Sequence, residues 1–399
     1  MYRNLILTLI VFAMHCNDVK ISVVKVSEII LIIYGILQID RFHKTSRLFL
    51  AFFTLWLIVT FIHNFFIQFD RSVVVSILQE PYICSIGRYM ELFSCIAFVE
   101  LVVNYLREDG DGLDKILYYN VLFCLLILIF YFFEKITSLN VFGVITHTGR
   151  LRGFFNEGGP FGLLISMLLI LSFLKKRNYL EKIILILCLV FSFSKAGIIL
   201  LLLFVILYYA RRFRHNTKIK LYIYILFVPG IFLSSILVYY VIQQYSISWF
   251  DADSALQYAQ NNSEDTNFVA GRVAGKYIVT NMVVENPLIG IGLGNYPILR
   301  NLNEYRSFFP IIKVYDAHGF GGIVTVLCEF GLLGLFVFFC ILRYKAKRSN
   351  PYLIFLFICV FMCGVQITFI YPWLLIGMNE FYCRIKIDGK HSFRLPLYR

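Results

Sequence analysis

Charged residues are scarce in this sequence. They make up 15% of the 399 residues, while hydrophobic residues make up 59%. An ordinary soluble domain carries roughly a quarter charged residues. Apolar runs of about twenty residues, the length that a helix needs to cross a bilayer, recur along the whole chain. The composition therefore excludes a soluble fold with one anchor and predicts an all-α polytopic membrane protein, with residues 1–399 forming a single membrane domain.

The chain also lacks the cysteine patterns of disulfide frameworks and metal sites. Its ten cysteines lie almost all inside apolar runs, and no paired Cys-x-x-Cys spacing is present. We interpret them as small core residues and predict neither a metal nor a cofactor. The net charge of +13 does not indicate nucleic acid as a partner, because lysine and arginine stand in short clusters between the apolar runs.

The apolar runs predict about twelve transmembrane helices, and basic clusters follow the even-numbered ones. The positive-inside bias then places both termini in the cytoplasm and the clusters on that side. The predicted spans, with bounds uncertain by a few residues, are 4–16, 20–38, 48–67, 83–105, 116–133, 160–174, 180–194, 196–210, 220–244, 318–342, 351–369 and 372–383.

One long polar segment, residues 246–317, interrupts this pattern between the ninth and tenth spans. The same count of crossings makes it a large periplasmic loop, and its helix-compatible stretches predict short helices within it. Within the loop, Arg272 and Lys276 are four residues apart and would share one helix face. Two such cations can bind a diphosphate, although most pairs of this kind only lie on a solvent-exposed face of a helix.

A second glycine-containing segment is predicted to face outwards before the span that begins at Pro160. It carries Arg150, Arg152 and Glu157. Arginines on the outer side run against the positive-inside bias, which favours an anion-facing loop. The alternative is an interfacial belt of arginine and phenylalanine.

The stretch 180–210 has basic residues at both ends, so an even number of crossings must separate them. We predict a hairpin that turns near 192–197, with Lys195 at its tip. A lysine in that position either binds an anion or extends its ammonium group to the interface.

A candidate catalytic group lies where the tenth span begins. His318 and Glu329 are eleven residues apart, close to three helical turns, so both would project from one face. With Asp316 beside it, His318 is a candidate general base, because the ordinary pKa of histidine is about 6.5. Nearby, Gly290, Gly292 and Gly294 alternate in a stretch that we interpret as a structural turn packed on the membrane domain.

Together these motifs resemble a known family. The blocks RLRGFFNE (150–157), SFSK (192–195), ENPLIGIGLGNY (285–296) with Asp-Ala-His (316–318), and EFGLLG (329–334) stand in the order found in the bacterial O-antigen polymerase and O-antigen ligase superfamily. The resemblance covers about the last two-thirds of the chain. It implies inverting, metal-independent glycosyl transfer from undecaprenyl diphosphate at the periplasmic face of the inner membrane.

The resemblance also implies roles for residues. In the family, arginines handle the diphosphate and a histidine lies near the acceptor hydroxyl, which here match Arg272 and His318. Lys195 stands where a Ser-Arg pair is common. Lysine keeps the positive charge but lacks the guanidinium group that binds a phosphate through two parallel hydrogen bonds. The expected partners are undecaprenyl-diphosphate-linked repeat units and the bilayer, with binding of a chain-length regulator left open.

Three functions fit this sequence. The first is an O-antigen or related surface-polysaccharide polymerase, and the second is an O-antigen ligase that transfers the glycan to lipid A core. The third is a flippase or transporter for lipid-linked sugars. A transporter would be expected to carry charges at the bilayer midplane and repeat symmetry, whereas this chain concentrates its polar residues in one outer insert.

Overall fold

The structure is a computed structural model that describes residues 2–21, 24–66, 80–139, 141–212, 274–306, 309 and 321–387. In these residues the chain is almost entirely helical. One small hairpin pairs β1 (Lys20–Ile21) antiparallel with β2 (Val24–Lys25). The helices of the first half are α1 (Tyr2–His15), α2 (Val26–Gln38), α3 (Lys44–Phe66), α4 (Pro81–Glu108), α5 (Gly112–Thr137), α6 (Gly158–Leu174), α7 (Tyr179–Ser192) and α8 (Lys195–Arg212). Those of the second half are α9 (Ala274–Glu285), α10 (Tyr296–Leu299), α11 (Asn303–Arg306), α12 (Gly322–Arg348), α13 (Pro351–Met362) and α14 (Trp373–Ile387).

Every predicted span that falls on described residues contains a helix, so the helical class is confirmed there. Among the described helices α3, α5 and α12 are long and apolar enough to cross a membrane, and α1, α6, α8 and α13 contain shorter apolar stretches. The total of twelve spans stays a prediction, and the ninth span, 220–244, lies outside the described residues. The short helices α9, α10 and α11 lie in the polar insert, as expected.

Two predicted spans have different bounds in the structure. The first six residues of the span 20–38 include the β1–β2 hairpin, because the β-branched residues there favour extended backbone. The span 351–369 is helical only as far as Met362, and Gly364 follows with a φ of 108°. A glycine in the left-handed region is a common helix terminator, and it frees residues 363–372 to form a loop.

Helix α4 is the centre of the fold and packs against α1, α2, α3, α5 and α14. Small residues allow two of these contacts to be close. A Cβ on Gly35 of α2 would lie 2.8 Å from Ala97 of α4, and one on Gly377 of α14 would lie 2.8 Å from Val102. Glycine lets helix backbones approach closely. In a membrane this matters because van der Waals packing, and not the hydrophobic effect, drives the association of helices.

Buried ion pairs distinguish the two ends of the helical domain. Lys25 at the start of α2 lies 3.9 Å from Glu91 near the start of α4. At the opposite end, Lys345 near the end of α12 lies 3.0 Å from Glu380. We call the first the site end, because the candidate site residues that the structure describes lie there. The topology predicted from the basic clusters would turn this end outwards.

Helix α12 is broken near its middle. Gly331 has φ 65° and ψ −171°, a conformation open essentially only to glycine. In an unbroken helix the N–H groups of Leu332 and Leu333 would donate to the carbonyls of Cys328 and Glu329. The break leaves these four groups without their intrahelical partners.

The glycine-rich loop, residues 287–294, supplies the missing donors. The backbone N–H groups of Ile291 and Gly292 donate to the carbonyls of Cys328 and Glu329, each at 3.0 Å. The loop therefore pairs with the broken turn of α12 through backbone hydrogen bonds, as neighbouring strands do in a sheet. This explains why the glycine-rich block and the Glu-Phe-Gly block occur together in the sequence.

The same loop supplies the missing acceptors. Leu332 and Leu333 donate their backbone N–H groups to the carbonyls of Pro287 (2.8 Å) and Leu288 (3.1 Å). Each unsatisfied backbone group in a bilayer costs several kcal/mol, so a helix break without replacement hydrogen bonds would strongly destabilise the fold. The exchange satisfies all four groups.

Glycine is required at this contact for steric reasons. A Cβ on Gly331 would lie 2.3 Å from the carbonyl oxygen of Leu288, and one on Gly290 would lie 2.5 Å from the N atom of Gly331. Gly290, Gly292 and Gly294 all have positive φ. The predicted structural turn is thus confirmed.

We predict that Gly331→Ala destabilises the protein by about 2–4 kcal/mol, because the new methyl group meets the loop and the backbone must leave its glycine conformation. The measurement is the thermal unfolding midpoint of the purified protein in detergent. Gly87→Ala is the matched control, since Gly87 is helical and has no neighbour within 4 Å of the new carbon. Equal midpoints for the two variants would contradict the account of the break.

Candidate functional site

The segment between α5 and α6, which the sequence predicts to face outwards and which we call the outer segment, is held in place by its own arginines. Arg150 donates from Nε to the carbonyl of Ser192 and from Nη2 to that of Phe193, both at 3.0 Å. These carbonyls lie at the end of α7, where a cation also complements the helix dipole. Arg150 therefore caps α7, a role that its sequence context does not reveal.

Arg152 has a similar role within the segment. Its Nε donates to the carbonyl of Gly143 (2.9 Å) and its Nη1 to that of Asn156 (3.3 Å). Each guanidinium group has five N–H donors, so Arg150 and Arg152 both keep donors for an anion. Glu157 follows as the exposed N-cap residue of α6.

The N-termini of α6 and α8 meet beside this segment. Ser194, the N-cap of α8, donates from Oγ to the carbonyl of Gly159 (3.2 Å) and accepts from the N–H of Gly197 (3.1 Å). A Cβ on Gly162 would lie 2.1 Å from Ser194 Cβ, so only glycine allows this approach. Helix N-termini attract anions through their free N–H groups and dipoles, and here two of them lie together.

Lys195 is the first residue of α8, and its side chain is exposed. The predicted break between the two arms of 180–210 is confirmed: α7 ends at Ser192, Phe193 is left-handed with φ 47°, and α8 begins at Lys195. The structure thus brings Lys195 next to Arg150, which binds the Phe193 carbonyl two residues away. The four groups, two helix N-termini and two cations, form what we call the cationic rim.

A second polar group lies buried at the site end. Arg88 of α4 is only 4% exposed, and its Nη1 donates to Glu91 Oε2 (2.6 Å) and to Thr368 Oγ1 (3.4 Å). Lys25 lies 3.0 Å from Glu28 and 3.9 Å from Glu91. We call these five residues the Arg88 cluster; it links the starts of α2 and α4 to the loop before α14.

Glu329 lies beside this cluster, two residues before the break at Gly331 in α12. It is 1% exposed, and neither carboxylate oxygen has a hydrogen-bonding partner among the described residues. The guanidinium group of Arg88 and the backbone N–H of Gly294 are close enough to interact with it electrostatically. A buried charge without a full set of hydrogen bonds is costly, and such residues in membrane helices commonly mark functional sites.

The cationic rim and the Arg88 cluster are connected through the loop before α14. Phe155 of the outer segment stacks on Phe369 with ring centroids 6.2 Å apart. Tyr371 donates to the carbonyl of Pro160 in α6 (3.1 Å). Thr368 of the same loop contacts Arg88. One loop therefore sets the position of both polar groups.

Several predicted site residues fall outside this description. Arg272, Asp316 and His318 lie outside the described residues, as does the side chain of Lys276. Whether they join Lys195 and Glu329 stays a prediction. Across the described residues, no group of three or more His, Cys, Asp or Glu side chains is placed to hold a metal ion.

Sequence reasoning missed the Arg88 cluster. A signal was available, because Arg88, Glu91 and Glu28 stand inside predicted spans, where charged side chains usually face the protein interior. Their spacing does not show that they share partners, since they come from separate helices.

Part of the chain matches a protein-family model. Residues 182–339 match the family described as O-antigen ligase, which is less than half of the chain. No curated protein matches the sequence. The matched region runs from within α7 into α12 and includes Lys195, the glycine-rich loop and Glu329. The outer segment and four residues of the Arg88 cluster precede it, and Thr368 follows it.

Proteins of this family are glycosyltransferase-like membrane enzymes of O-antigen and lipopolysaccharide biosynthesis. The predicted motifs at Lys195, in the glycine-rich loop and around Glu329 all lie within the matched residues. Residues 182–339 of this chain are thus similar to the O-antigen ligase family, as the resemblance to the O-antigen polymerase and O-antigen ligase superfamily predicts.

Proposed function

We propose that the chain is an O-antigen or related surface-polysaccharide polymerase of the bacterial inner membrane. It joins repeat units carried on undecaprenyl diphosphate at the periplasmic face, by inverting and metal-independent glycosyl transfer. The observation that carries this proposal is the cationic rim, because a family match alone names no donor-binding group. The donor is the substrate whose diphosphate leaves in the reaction.

The rim suits the donor in both charge and polarity. A diphosphate can bind the helix N-termini and the remaining donors of Arg150 while Lys195 neutralises its charge. Beside Lys195 lie the exposed apolar side chains of Phe193, Ile198 and Leu202. A polyprenyl chain attached to the diphosphate can extend along this surface into the bilayer.

The substrate-binding residues that we propose are Arg150, Arg152, Glu157, Lys195, Arg272 and Lys276. In the reaction, the acceptor hydroxyl oxygen attacks the anomeric carbon while the bond from that carbon to the diphosphate oxygen breaks. The electron pair leaves with the diphosphate, and the configuration at the carbon inverts. Preorganised cations that stabilise the developing charge are worth several kcal/mol.

The acceptor hydroxyl must also lose its proton. We assign His318 as the base or as the group that orients the acceptor, with Asp316 or Glu329 tuning it. Proton transfer to a positioned base contributes roughly 10²–10⁴-fold to the rate. The buried carboxylate of Glu329 is suited to this supporting role, because it is only 1% exposed and its backbone is bound to the glycine-rich loop.

A ligase is the second candidate, and the description of the matching family favours it. The donor and the chemistry at the diphosphate are the same, and only the acceptor differs. The acceptor of the ligase is lipid A core, whereas that of the polymerase is another lipid-linked glycan.

The two functions give different products when the gene is deleted. Loss of a polymerase leaves a single repeat unit on the lipid A core, because ligation continues without chain growth. Loss of a ligase leaves polymerised glycan on undecaprenyl diphosphate and unmodified core. We predict the single-repeat pattern in the lipopolysaccharide banding of a deletion strain. Accumulated lipid-linked polymer would identify a ligase, and unchanged glycan would contradict both functions.

We predict that Lys195→Ala and Arg272→Ala each lower glycan transfer at least tenfold at unchanged protein level, because each removes a cation that stabilises the leaving diphosphate. Lys195→Arg retains the charge and should retain most of the activity. The measurement is the length distribution of glycan chains, with membrane protein quantified in parallel.

Lys182→Ala is the matched control for this prediction. Lys182 lies on α7 at the end opposite to the rim, with its ammonium 5.0 Å from the ring centroid of Phe173. Its removal should leave glycan chains unchanged. Equal loss in Lys182→Ala and Lys195→Ala would show that the effect is general and would remove the assignment of Lys195.

A further inference from the structure

We propose that Arg88 is a positioning residue for the transfer reaction. It holds the Glu329 carboxylate and the glycine-rich loop in their working arrangement beneath the cationic rim. The proposal deepens the function proposed above and rests on it. Arg88 lies outside the region that matches the family, so the match assigns it no role.

The first argument is the position of Arg88 between separate segments. Its guanidinium group binds Glu91 on its own helix and Thr368 in the loop before α14. A Cβ on Gly294 would lie 3.0 Å from Arg88 Cβ, so the glycine-rich loop packs directly on this residue. Its charge also acts on Glu329 in α12. One side chain thus contacts or acts on α4, the loop before α14, the glycine-rich loop and α12.

The second argument is charge balance. The Arg88 cluster and Glu329 together contain three carboxylates, those of Glu28, Glu91 and Glu329, and two cations, Lys25 and Arg88. Lys25 is engaged with Glu28 and Glu91. Arg88, which also binds Glu91, is the cation among the described residues whose charge acts on Glu329. Removing one partner from a buried set of charges leaves an uncompensated charge, which is strongly unfavourable.

The third argument is the route from this pair to the reacting groups. The carbonyl of Glu329 accepts the N–H of Gly292, so a displacement of the residue is transmitted directly to the loop. Thr368, which Arg88 holds, belongs to the loop that packs on the outer segment through Phe369 and Phe155. A shift of about 1 Å in a positioned group can cost 10²-fold in rate. Arg88 therefore acts on catalysis without touching the substrate.

The test compares Arg88→Lys, Arg88→Gln and the double variant Arg88→Gln with Glu329→Gln, each purified and assayed for transfer from a polyprenyl-diphosphate-linked donor. The double variant removes both charges, so it is expected to fold even where Arg88→Gln does not. Arg107→Gln is the control. Arg107 lies at the other end of α4, where its Nη1 is 3.2 Å from His43 Nε2.

We expect Arg88→Gln to lower kcat at least tenfold per folded molecule while KM changes by less than about twofold, because the substitution removes no side chain that binds the donor. Arg88→Lys, which keeps the charge, should recover most of the kcat. The double variant should recover the thermal stability of the native protein but not its kcat. The control, Arg107→Gln, should match the native protein in thermal stability and in kcat.

A purely structural role predicts a different pattern. In that case Arg88→Gln would lose stability while its kcat per folded molecule stayed native, and that result would overturn the proposal. So would a lysine variant as inactive as the glutamine variant. If the native protein itself transferred no glycan from this donor, the proposed function would fail instead, which separates the two claims.

Discussion

The fold depends on an exchange of backbone hydrogen bonds between a broken helix and a loop. In α12 the amides of Leu332 and Leu333 lose their intrahelical acceptors at Gly331, and the glycine-rich loop supplies replacements on both sides of the break. Irregular backbone is tolerated at membrane depth only where protein or water satisfies it. The polar insert is therefore fastened to the membrane domain, and Glu329 is fixed at the junction.

The exchange also explains why charged groups gather at one end of the fold. Gly294, at the end of the loop, packs on α4 at Cys84 and Arg88. Leu293 donates its N–H to Thr60 Oγ1 (2.8 Å), which ties the loop to α3 as well. The loop thus packs on Arg88 and joins α3, α4 and α12 at this end of the fold. Buried charges interact more strongly than charges in water, so the arrangement of Arg88 and Glu329 is sensitive to the loss of either partner.

Much of this could be predicted from the sequence, because long apolar periodic segments and glycine spacing are local signals. The break after Ser192 followed from the basic residues on both flanks, and the turn at Gly290 to Gly294 followed from its glycine density. Other features depend on partners distant in sequence. Arg150 resembles an anion-binding residue by its neighbours, yet it caps α7 through carbonyls more than forty residues away. The ion pairs of Arg88 are likewise invisible until α2, α4 and α12 are placed together.

The account makes one central chemical claim, that fixed side-chain cations and helix N-termini perform the charge neutralisation for which other glycosyltransferases use a metal ion. The most direct measurement is transfer by the purified protein from an undecaprenyl-diphosphate-linked oligosaccharide in excess EDTA. The account predicts the same rate of product formation with and without the chelator. Loss of product in EDTA, restored by added Mg²⁺ or Mn²⁺, would contradict it.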